Sequence, residues 1–296
     1  PPEIFVYSNY VISSGDDTPS TDDGTDFGLR HIPEDSLTRI FYVKNTSSGE
    51  LTLGGNGVML TGSSDFKIVN QIESTTLAGG DSTSFSVRFT PTSTDTAEAT
   101  ISLPHNTEGS PYTFAVRGVG GKEEIKIVGA EEIYNGDISP SVDEGTDFGT
   151  VYVRETQDTL YFTITNTGNW PLSFMDGSLS NIDDFSYCVD MPDKLHKGSF
   201  FDLDPDSSIQ FGIVFDPTSD GIKTSEIELE TSDTDNSPFT FLVQGRGTWL
   251  GAVRATVWYD KNANRLIDNQ EVGIQDVMVY LDQEETLLNK GGDPGP

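Results

Sequence analysis

The sequence has a single cysteine, Cys188, and only three histidines among its 296 residues. One cysteine cannot form a bridge within its own chain, so the fold does not rest on disulfides. The histidines are scattered, and the sequence has no His-Glu-x-x-His zinc motif, no Gly-x-Ser-x-Gly nucleophile motif and no glycine-rich phosphate or dinucleotide fingerprint. We therefore expect a protein that is not an enzyme.

Basic residues are also scarce, since 17 lysines and arginines stand against 48 aspartates and glutamates, for a net charge of −31. A surface of this charge repels phosphate backbones, so no nucleic-acid partner is expected. No apolar run approaches the roughly 20 residues of a membrane-spanning helix, so no direct membrane insertion is expected either. The charge either attracts divalent cations or is simply the solvated surface of a secreted protein.

What the sequence does contain is an internal repeat with an offset of 121 residues (145 − 24 = 121). The same motifs return in the same order, with small insertions toward the end. The matched segments are Gly-Thr-Asp-Phe-Gly at 24–28 and 145–149, Phe-x-Val/Ile-x-Asn-Thr at 41–46 and 162–167, Phe-x-Pro-Thr at 89–92 and 215–218, and Pro-Tyr/Phe-Thr-Phe at 111–114 and 238–241. This repeat predicts two copies of one domain, residues 1–120 and 121–247.

Within each copy, apolar and polar residues alternate over short stretches that turn residues separate. Phe85, Val87 and Phe89 alternate with serine and arginine, for example. A period of two with one apolar face indicates a strand that covers a core on one side. No amphipathic helix is evident. Strands spaced in this way over about 100 residues predict an all-β chain of tandem immunoglobulin-like β-sandwiches.

The order of these motifs resembles the choice-of-anchor D repeat, part of the wider immunoglobulin-like family of abnormal-spindle and hydin proteins. The resemblance covers residues 1 to about 247 and includes the Asp-Phe pairs at 65–66 and 184–185. It implies immunoglobulin-like modules without catalytic residues, which serve as spacers in large secreted or surface-anchored bacterial proteins. An intracellular cytoskeletal role, as hydin-type relatives suggest, is disfavoured by the net charge of −31.

The pattern changes after Gly247. An alternating stretch at 253–259, an Asp- and Asn-rich loop at 260–271 and a second alternating stretch at 273–281 resemble the start of the B-type domain of serine-aspartate-repeat surface proteins, a relative of the collagen-adhesin B fold. Because a complete sandwich needs roughly 100 residues, we expect residues 248–296 to form a partial, truncated third β-sandwich. Missing sequence or another chain would complete it.

The loop at 260–271 is the one segment with metal-ligand spacing. Side-chain oxygens fall at loop positions 1, 3, 5, 9 and 12, and position 7 can offer its backbone carbonyl. These residues are Asp260, Asn262, Asn264, Asp268 and Glu271, with Leu266 at position 7. The order is that of an EF-hand-like loop and suits Ca²⁺, although Arg265 occupies position 6, where glycine is usual. We predict Ca²⁺ binding, and the alternative is a polar turn.

Two further features of the sequence each have two possible interpretations. Asp22, Asp23 and Asp26 lie beside Gly24, where turn chemistry is the default and a weak second metal site is the alternative. Trp170 lies in a Gly-Asn-Trp-Pro turn, where it either covers the rim of the core or contacts a sugar or protein.

These observations predict a structural spacer of a large secreted or cell-surface bacterial protein, adhesin-like or filament-forming and rigidified by Ca²⁺. The alternative is an accessory carbohydrate- or protein-binding module of a secreted multidomain enzyme. Expected partners are other domains or protomers of the same surface assembly, and any glycan or protein ligand stays unidentified. We expect an extracellular or cell-surface location.

Overall fold

The computed structural model describes residues 1–188, 201–251, 257–268, 271 and 273–274. In these residues the regular structure is all β-strand. None of the described segments forms an apolar helix of membrane-spanning length. The chain divides into two compact units, Pro1–Thr248 and Trp249–Pro296. The strands predicted at 253–259 and 273–281 lie for the most part outside the described residues.

The first unit contains two sandwiches built from a similar series of strands. Those of the first sandwich are β1 (Ile4–Tyr7), β2 (Val11–Ile12), β3 (Asp26–His31), β4 (Leu37–Asn45), β5 (Leu51–Thr52), β6 (Met59–Gly62), β7 (Phe66–Asn70), β8 (Thr76–Leu77), β9 (Ser82–Phe89), β10 (Thr96–Leu103) and β11 (Tyr112–Gly121). Those of the second are β12 (Ile125–Val128), β13 (Glu132–Ile133), β14 (Asp147–Tyr152), β15 (Asp158–Asn166), β16 (Leu172–Leu179), β17 (Phe185–Tyr187), β18 (Phe201–Leu203), β19 (Ser208–Phe215), β20 (Gly221–Thr231) and β21 (Phe239–Thr248).

The strand order identifies the fold. In the first sandwich one sheet has the order β2-β1-β4-β9-β7 and the other has the order β3-β11-β10-β6. The run β1-β4-β9-β7 corresponds to strands A, B, E and D of an immunoglobulin domain, and β11-β10-β6 corresponds to G, F and C. The second sandwich repeats this arrangement as β13-β12-β15-β19-β17 and β14-β21-β20-β16, with β18 added beside β16. In the first sandwich, β5 and β8 form a separate two-stranded sheet instead. The predicted all-β, immunoglobulin-like sandwich fold is confirmed.

Each sandwich has its own hydrophobic core, and the two cores are separate clusters of buried side chains. Phe41 belongs to the first cluster and Phe162 to the second. The alternation seen in the sequence places these residues inward, as it does Phe85, Val87 and Phe89. Burying a side chain of this kind stabilises the fold by about 1.5–3 kcal/mol. The exact domain boundaries at 120 and 247 stay predictions.

The repeated asparagine, Asn45 in one copy and Asn166 in the other, is fully buried in both sandwiches. Its amide nitrogen donates to two backbone carbonyls, and its oxygen accepts one backbone N–H. The partners are Gly49, Leu77 and Ser47 for Asn45, at 2.6, 3.0 and 3.1 Å, and Trp170, Leu203 and Gly168 for Asn166, at 2.8, 2.9 and 3.0 Å. The side chain therefore satisfies backbone groups that the sandwich would otherwise bury without partners.

Candidate functional site

The connection between the two sandwiches is the first candidate site. Strand β11 ends at Gly121 and β12 begins at Ile125, so only residues 122–124 lie between them. We call these residues, together with the side chains that hold them, the joint. A connector of three residues leaves little freedom to two sandwiches that also touch.

Asn169 is the main hydrogen-bonding residue of the joint. It lies in the turn between β15 and β16, in the second sandwich. Its side-chain nitrogen donates to the carbonyl of Gly120 in the first sandwich at 2.8 Å, and its side-chain oxygen accepts the N–H of Lys122 at 2.9 Å. The backbone N–H of Asn169 also donates to the carbonyl of Lys122 at 3.1 Å. One side chain thus bonds both the end of β11 and the connector.

Trp170 follows Asn169 and packs against the first sandwich. Its ring lies 5.2 Å from the ring of His31, centroid to centroid. A Cβ added to Gly121 would come within 2.4 Å of the Trp170 ring, so this contact requires glycine at position 121. The structure therefore gives Trp170 a packing role between the two sandwiches.

Charged groups complete the joint. The Glu123 side chain is only 9% exposed, and its carboxylate lies 2.8 Å from Nε2 of His31. Lys122 lies 2.6 Å from a carboxylate oxygen of Asp235, and this hydrogen bond, with the nearby charge of Glu124, raises the pKa of Lys122. Exposed ion pairs contribute at most about 1 kcal/mol. Lys122 therefore adds little to the stability of the joint.

The acidic loop of the second unit folds around its own side chains. Asp260 accepts the N–H groups of Asn264 and Arg265, at 3.1 and 2.7 Å. Glu271 accepts the N–H groups of Lys261 and Asp268, at 2.9 and 3.1 Å. The first and last predicted ligands are thus bonded to the backbone of the loop, which closes it into a ring.

Three of the predicted ligands converge inside this loop. One carboxylate oxygen of Asp268 lies 2.6 Å from the amide nitrogen of Asn262 and 2.7 Å from that of Asn264. The amide oxygens of these asparagines accept backbone N–H groups, Asn262 that of Asn264 at 3.1 Å and Asn264 that of Leu266 at 2.8 Å. A half turn of each amide, which breaks these two bonds, would place three oxygens around one point. Among the described residues, no three His, Cys, Asp or Glu side chains gather as a metal-binding group. The convergent set here is one carboxylate and two amides, which are oxygen donors of the kind that Ca²⁺ takes.

Position 6 of the loop has a left-handed backbone, which is the conformation that favours the glycine usual there. Arg265, where glycine is usual, has a φ of 63°, and Ala263 has a φ of 58°. For residues with a side chain, the left-handed conformation costs roughly 1–2 kcal/mol. The hydrogen bonds of the loop offset this cost.

The second acidic group, Asp22, Asp23 and Asp26, is engaged in turns and an ion pair. Asp23 accepts the N–H and the hydroxyl of Thr25, at 2.9 and 2.6 Å. Asp26 accepts the N–H of Gly28 at 2.8 Å and lies 2.5 Å from the Arg117 guanidinium. The side chain of Asp22 is exposed. These contacts favour turn chemistry over a second metal site, because a cation would have to displace Arg117.

Comparison with known proteins does not assign the chain to a family. No family model matches the chain, and no curated protein matches it. Among solved structures it is similar to a protein of unknown function from Porphyromonas gingivalis W83, with 13% identity over 74% of this chain and 94% of that one, at a TM-score of 0.29. It is also similar to the class 5 fimbriae chaperone CfaA, with 12% identity over 82% of this chain and 99% of that one, at a TM-score of 0.28. A PapD-like (ASH) domain of human CEP192 is similar too, with 11% identity over 43% of this chain and 87% of that one, at a TM-score of 0.26. Scores this low assign no activity, ligand or partner.

Sequence reasoning missed the joint, although one signal for it was present. The repeat offset of 121 residues carries Gly168, Asn169 and Trp170 back to Ser47, Ser48 and Gly49 (168 − 121 = 47). The second copy therefore differs from the first at the turn that holds the connector. A difference of this kind between repeats points to a role outside the shared fold.

Proposed function

We propose that residues 1–248 are a non-catalytic spacer module of a large secreted or cell-surface protein, in which the joint fixes one sandwich against the next. The observation that carries this proposal is the bonding of Asn169 to both Gly120 and Lys122. Modules joined by flexible linkers move independently, whereas a three-residue connector bonded on both sides transmits force and orientation. The resemblance to choice-of-anchor D repeats and the net charge of −31 agree with a location outside the cell.

The second part of the proposal is that Ca²⁺ binds at 260–271 and rigidifies the segment that contains this loop. The convergence of Asn262, Asn264 and Asp268 supports it, as does the resemblance of this segment to B-type domains. Ca²⁺ would also neutralise carboxylates that repel one another within a single loop. Binding to the folded form alone stabilises it by about 2.7 kcal/mol at a ligand concentration one hundred times the Kd.

Distance measurements test the rigidity of the joint. Spin labels at Thr100→Cys and Glu226→Cys, both exposed positions, in a Cys188→Ser background, place one label on each sandwich. We expect a single narrow distance distribution in pulsed electron resonance. Asn169→Ala with Trp170→Ala should broaden it, while Ile138→Ala, a change at a residue 77% exposed, should not. A broad distribution in the protein with an intact joint would contradict the spacer proposal.

Titration calorimetry tests the Ca²⁺ site. The full chain is stripped with chelator and titrated with Ca²⁺, and its thermal unfolding is compared with and without the ion. We expect heat of binding and a higher Tm, both lost in Asp260→Ala and Asp268→Ala and both kept in Asp22→Ala. No heat and an unchanged Tm would mean that the loop is a polar turn.

The other function expected from the sequence was an accessory carbohydrate- or protein-binding module of a secreted enzyme. Its sequence support was Trp170, which packs on His31. That residue therefore no longer favours it.

A further inference from the structure

The outer face of one sheet in the first sandwich carries a group of aromatic side chains. On β1, Phe5 and Tyr7 project away from the core, because Val6 between them is buried. On β4, Tyr42 projects outward between buried Phe41 and Val43. Strand pairing sets Tyr7 directly opposite Tyr42. We call Phe5, Tyr7, Tyr10 and Tyr42 the aromatic platform.

Three of the four rings, those of Phe5, Tyr7 and Tyr42, lie in series. Tyr7 and Tyr42 stack with their ring centroids 5.2 Å apart and their planes 19° apart. Phe5 lies 6.1 Å from Tyr7. Tyr42 is 39% exposed and Tyr10 is 68% exposed. Contiguous exposed aromatic surface is unusual on a soluble domain and commonly marks a binding site.

A depression of about 340 Å³ lies beside these rings. It is lined by Phe5, Tyr7, Asn9, Tyr10, Val11 and Lys44. Its volume is near the lower end of the range for small-ligand sites, roughly 300–1,000 Å³. Asn9, Lys44 and the tyrosine hydroxyls supply hydrogen-bond donors at the edge of an apolar floor. A pyranose ring has the matching chemistry, with an apolar C–H face and a rim of hydroxyl groups.

The charges around the depression disfavour a cationic ligand. None of the residues lining the depression is acidic, in a chain with 48 carboxylate side chains. The outward-facing charged residues on the neighbouring parts of β4 and β9 are Lys44 and Arg88. Glu3, which precedes Phe5 by two positions, is bonded to the Thr46 hydroxyl at 3.1 Å. A cationic peptide would gain little in the depression, because its lining offers no carboxylate. A neutral or weakly acidic sugar does not need a carboxylate on the protein in order to bind.

The second sandwich shows that the fold does not need these aromatics. The offset of 121 residues carries the four platform positions to residues that are not aromatic: Lys126, Val128, Glu131 and Thr163. The same strands nevertheless form there, since β12 pairs with β15 as β1 pairs with β4. The platform is therefore an addition to the shared fold.

We propose that the aromatic platform binds a pyranose unit of a glycan, with its C–H face on Tyr7 and Tyr10, which line the depression, and its hydroxyls toward Asn9 and Lys44. Tyr42 stacks on Tyr7 and holds that ring in place. This site depends neither on the joint nor on Ca²⁺. It would let the first sandwich attach to a polysaccharide while the joint holds the second sandwich in a fixed orientation.

An oligosaccharide array followed by titration calorimetry tests the site. The full chain is applied to immobilised neutral and uronic-acid pyranose oligosaccharides, and the saccharides it retains are then titrated in solution. We expect Tyr10→Ala and Tyr7→Ala to weaken binding at least about tenfold, or about 1.4 kcal/mol, while Tyr10→Phe keeps most of it. The matched control is Tyr161→Ala, a change at a 54%-exposed aromatic on the equivalent face of the second sandwich.

Several outcomes would overturn the proposal. One is that the intact chain retains none of the saccharides, and another is that Tyr161→Ala loses binding as much as Tyr10→Ala does. A concentration-dependent dimer in sedimentation that Tyr42→Ala dissociates would show instead that a second copy covers this face. Circular dichroism and the Tm of each variant separate a lost contact from a lost fold.

Discussion

The carboxylate of Asp184 accepts two hydrogen bonds from Thr218, one from the backbone nitrogen at 2.8 Å and one from the hydroxyl at 2.9 Å. Asp65 and Thr92 form the same pair in the first sandwich, with the hydroxyl at 2.8 Å. Each pair ties the start of an edge strand, β17 or β7, to the turn that follows the central strand beside it. This contact explains why the Asp-Phe pair and the Phe-x-Pro-Thr motif occur in both copies.

The Asp184 contact predicts a pH dependence of stability. Partial burial acts to raise the pKa of Asp184, but hydrogen bonds from Thr218 and Asn181 and the charge of Lys223 outweigh it and hold the pKa below its ordinary value. A depressed pKa in the folded state contributes stability that is present above the unfolded pKa and lost as the pH falls through the folded pKa. We expect the free energy of unfolding to fall in acid for this reason.

Asp184→Asn should therefore lower the free energy of unfolding near neutral pH by about 1–3 kcal/mol and flatten its decline below about pH 4. Urea unfolding at a series of pH values measures both effects. Asp183→Asn removes the neighbouring exposed carboxylate and should change neither. An acid decline as steep in Asp184→Asn as in the natural sequence would show that other groups cause it.

Because the two sandwiches have separate cores, shortening a core side chain in one sandwich should loosen that sandwich alone. Phe41→Ala and Phe162→Ala should each cost about 3–5 kcal/mol, because both side chains are fully buried. Hydrogen exchange should quicken in β4 and β9 for the first change and in β15 and β19 for the second. Equal loss of protection in both sandwiches from either change would mean that they unfold as one unit.

Each repeat ends in Gly-x-Gly, at 118–120 and 245–247, and the first glycine of each predicts a steric effect of substitution. A Cβ added at Gly245 would lie 2.4 Å from the ring of Phe215, and one at Gly118 would lie 2.5 Å from that of Phe89. Gly245→Ala should therefore destabilise by about 1–3 kcal/mol through overpacking, measured by urea unfolding. Gly55→Ala, where a Cβ would meet nothing within 4 Å, is the control. A loss no larger than that of the control would show that Phe215 moves aside freely.

The left-handed backbone of Arg265 predicts how the acidic loop responds to substitution. Glycine adopts a φ of 63° without cost, whereas a β-branched residue there is strongly disfavoured. Arg265→Gly should keep Ca²⁺ affinity, and Arg265→Val should weaken it about tenfold, which corresponds to about 1.4 kcal/mol. Calorimetric titration measures both, with Lys261→Val as the control. Equal affinity in all three variants would mean that the ion does not need this backbone conformation.

The sequence by itself determined the all-β fold and the repeat, because both depend on local pattern. Alternation with a period of two decides which face of a strand is apolar, and Phe85, Val87 and Phe89 are buried as it requires. The order of oxygen-bearing side chains in the 260–271 loop is equally local. The orientations of Asp260 and Glu271, which bond to the backbone of the loop, could not be obtained from spacing alone.

Only the tertiary structure decided the joint and the aromatic platform. His31 and Glu123 meet although 92 residues separate them, and Trp170, in a turn that looked like an exposed rim, packs on His31. Alternation indicates that Tyr7 and Tyr42 face solvent, but the register of β1 against β4 places them side by side. Contacts between strands and between domains depend on pairing register and packing, and no local pattern of residues encodes either.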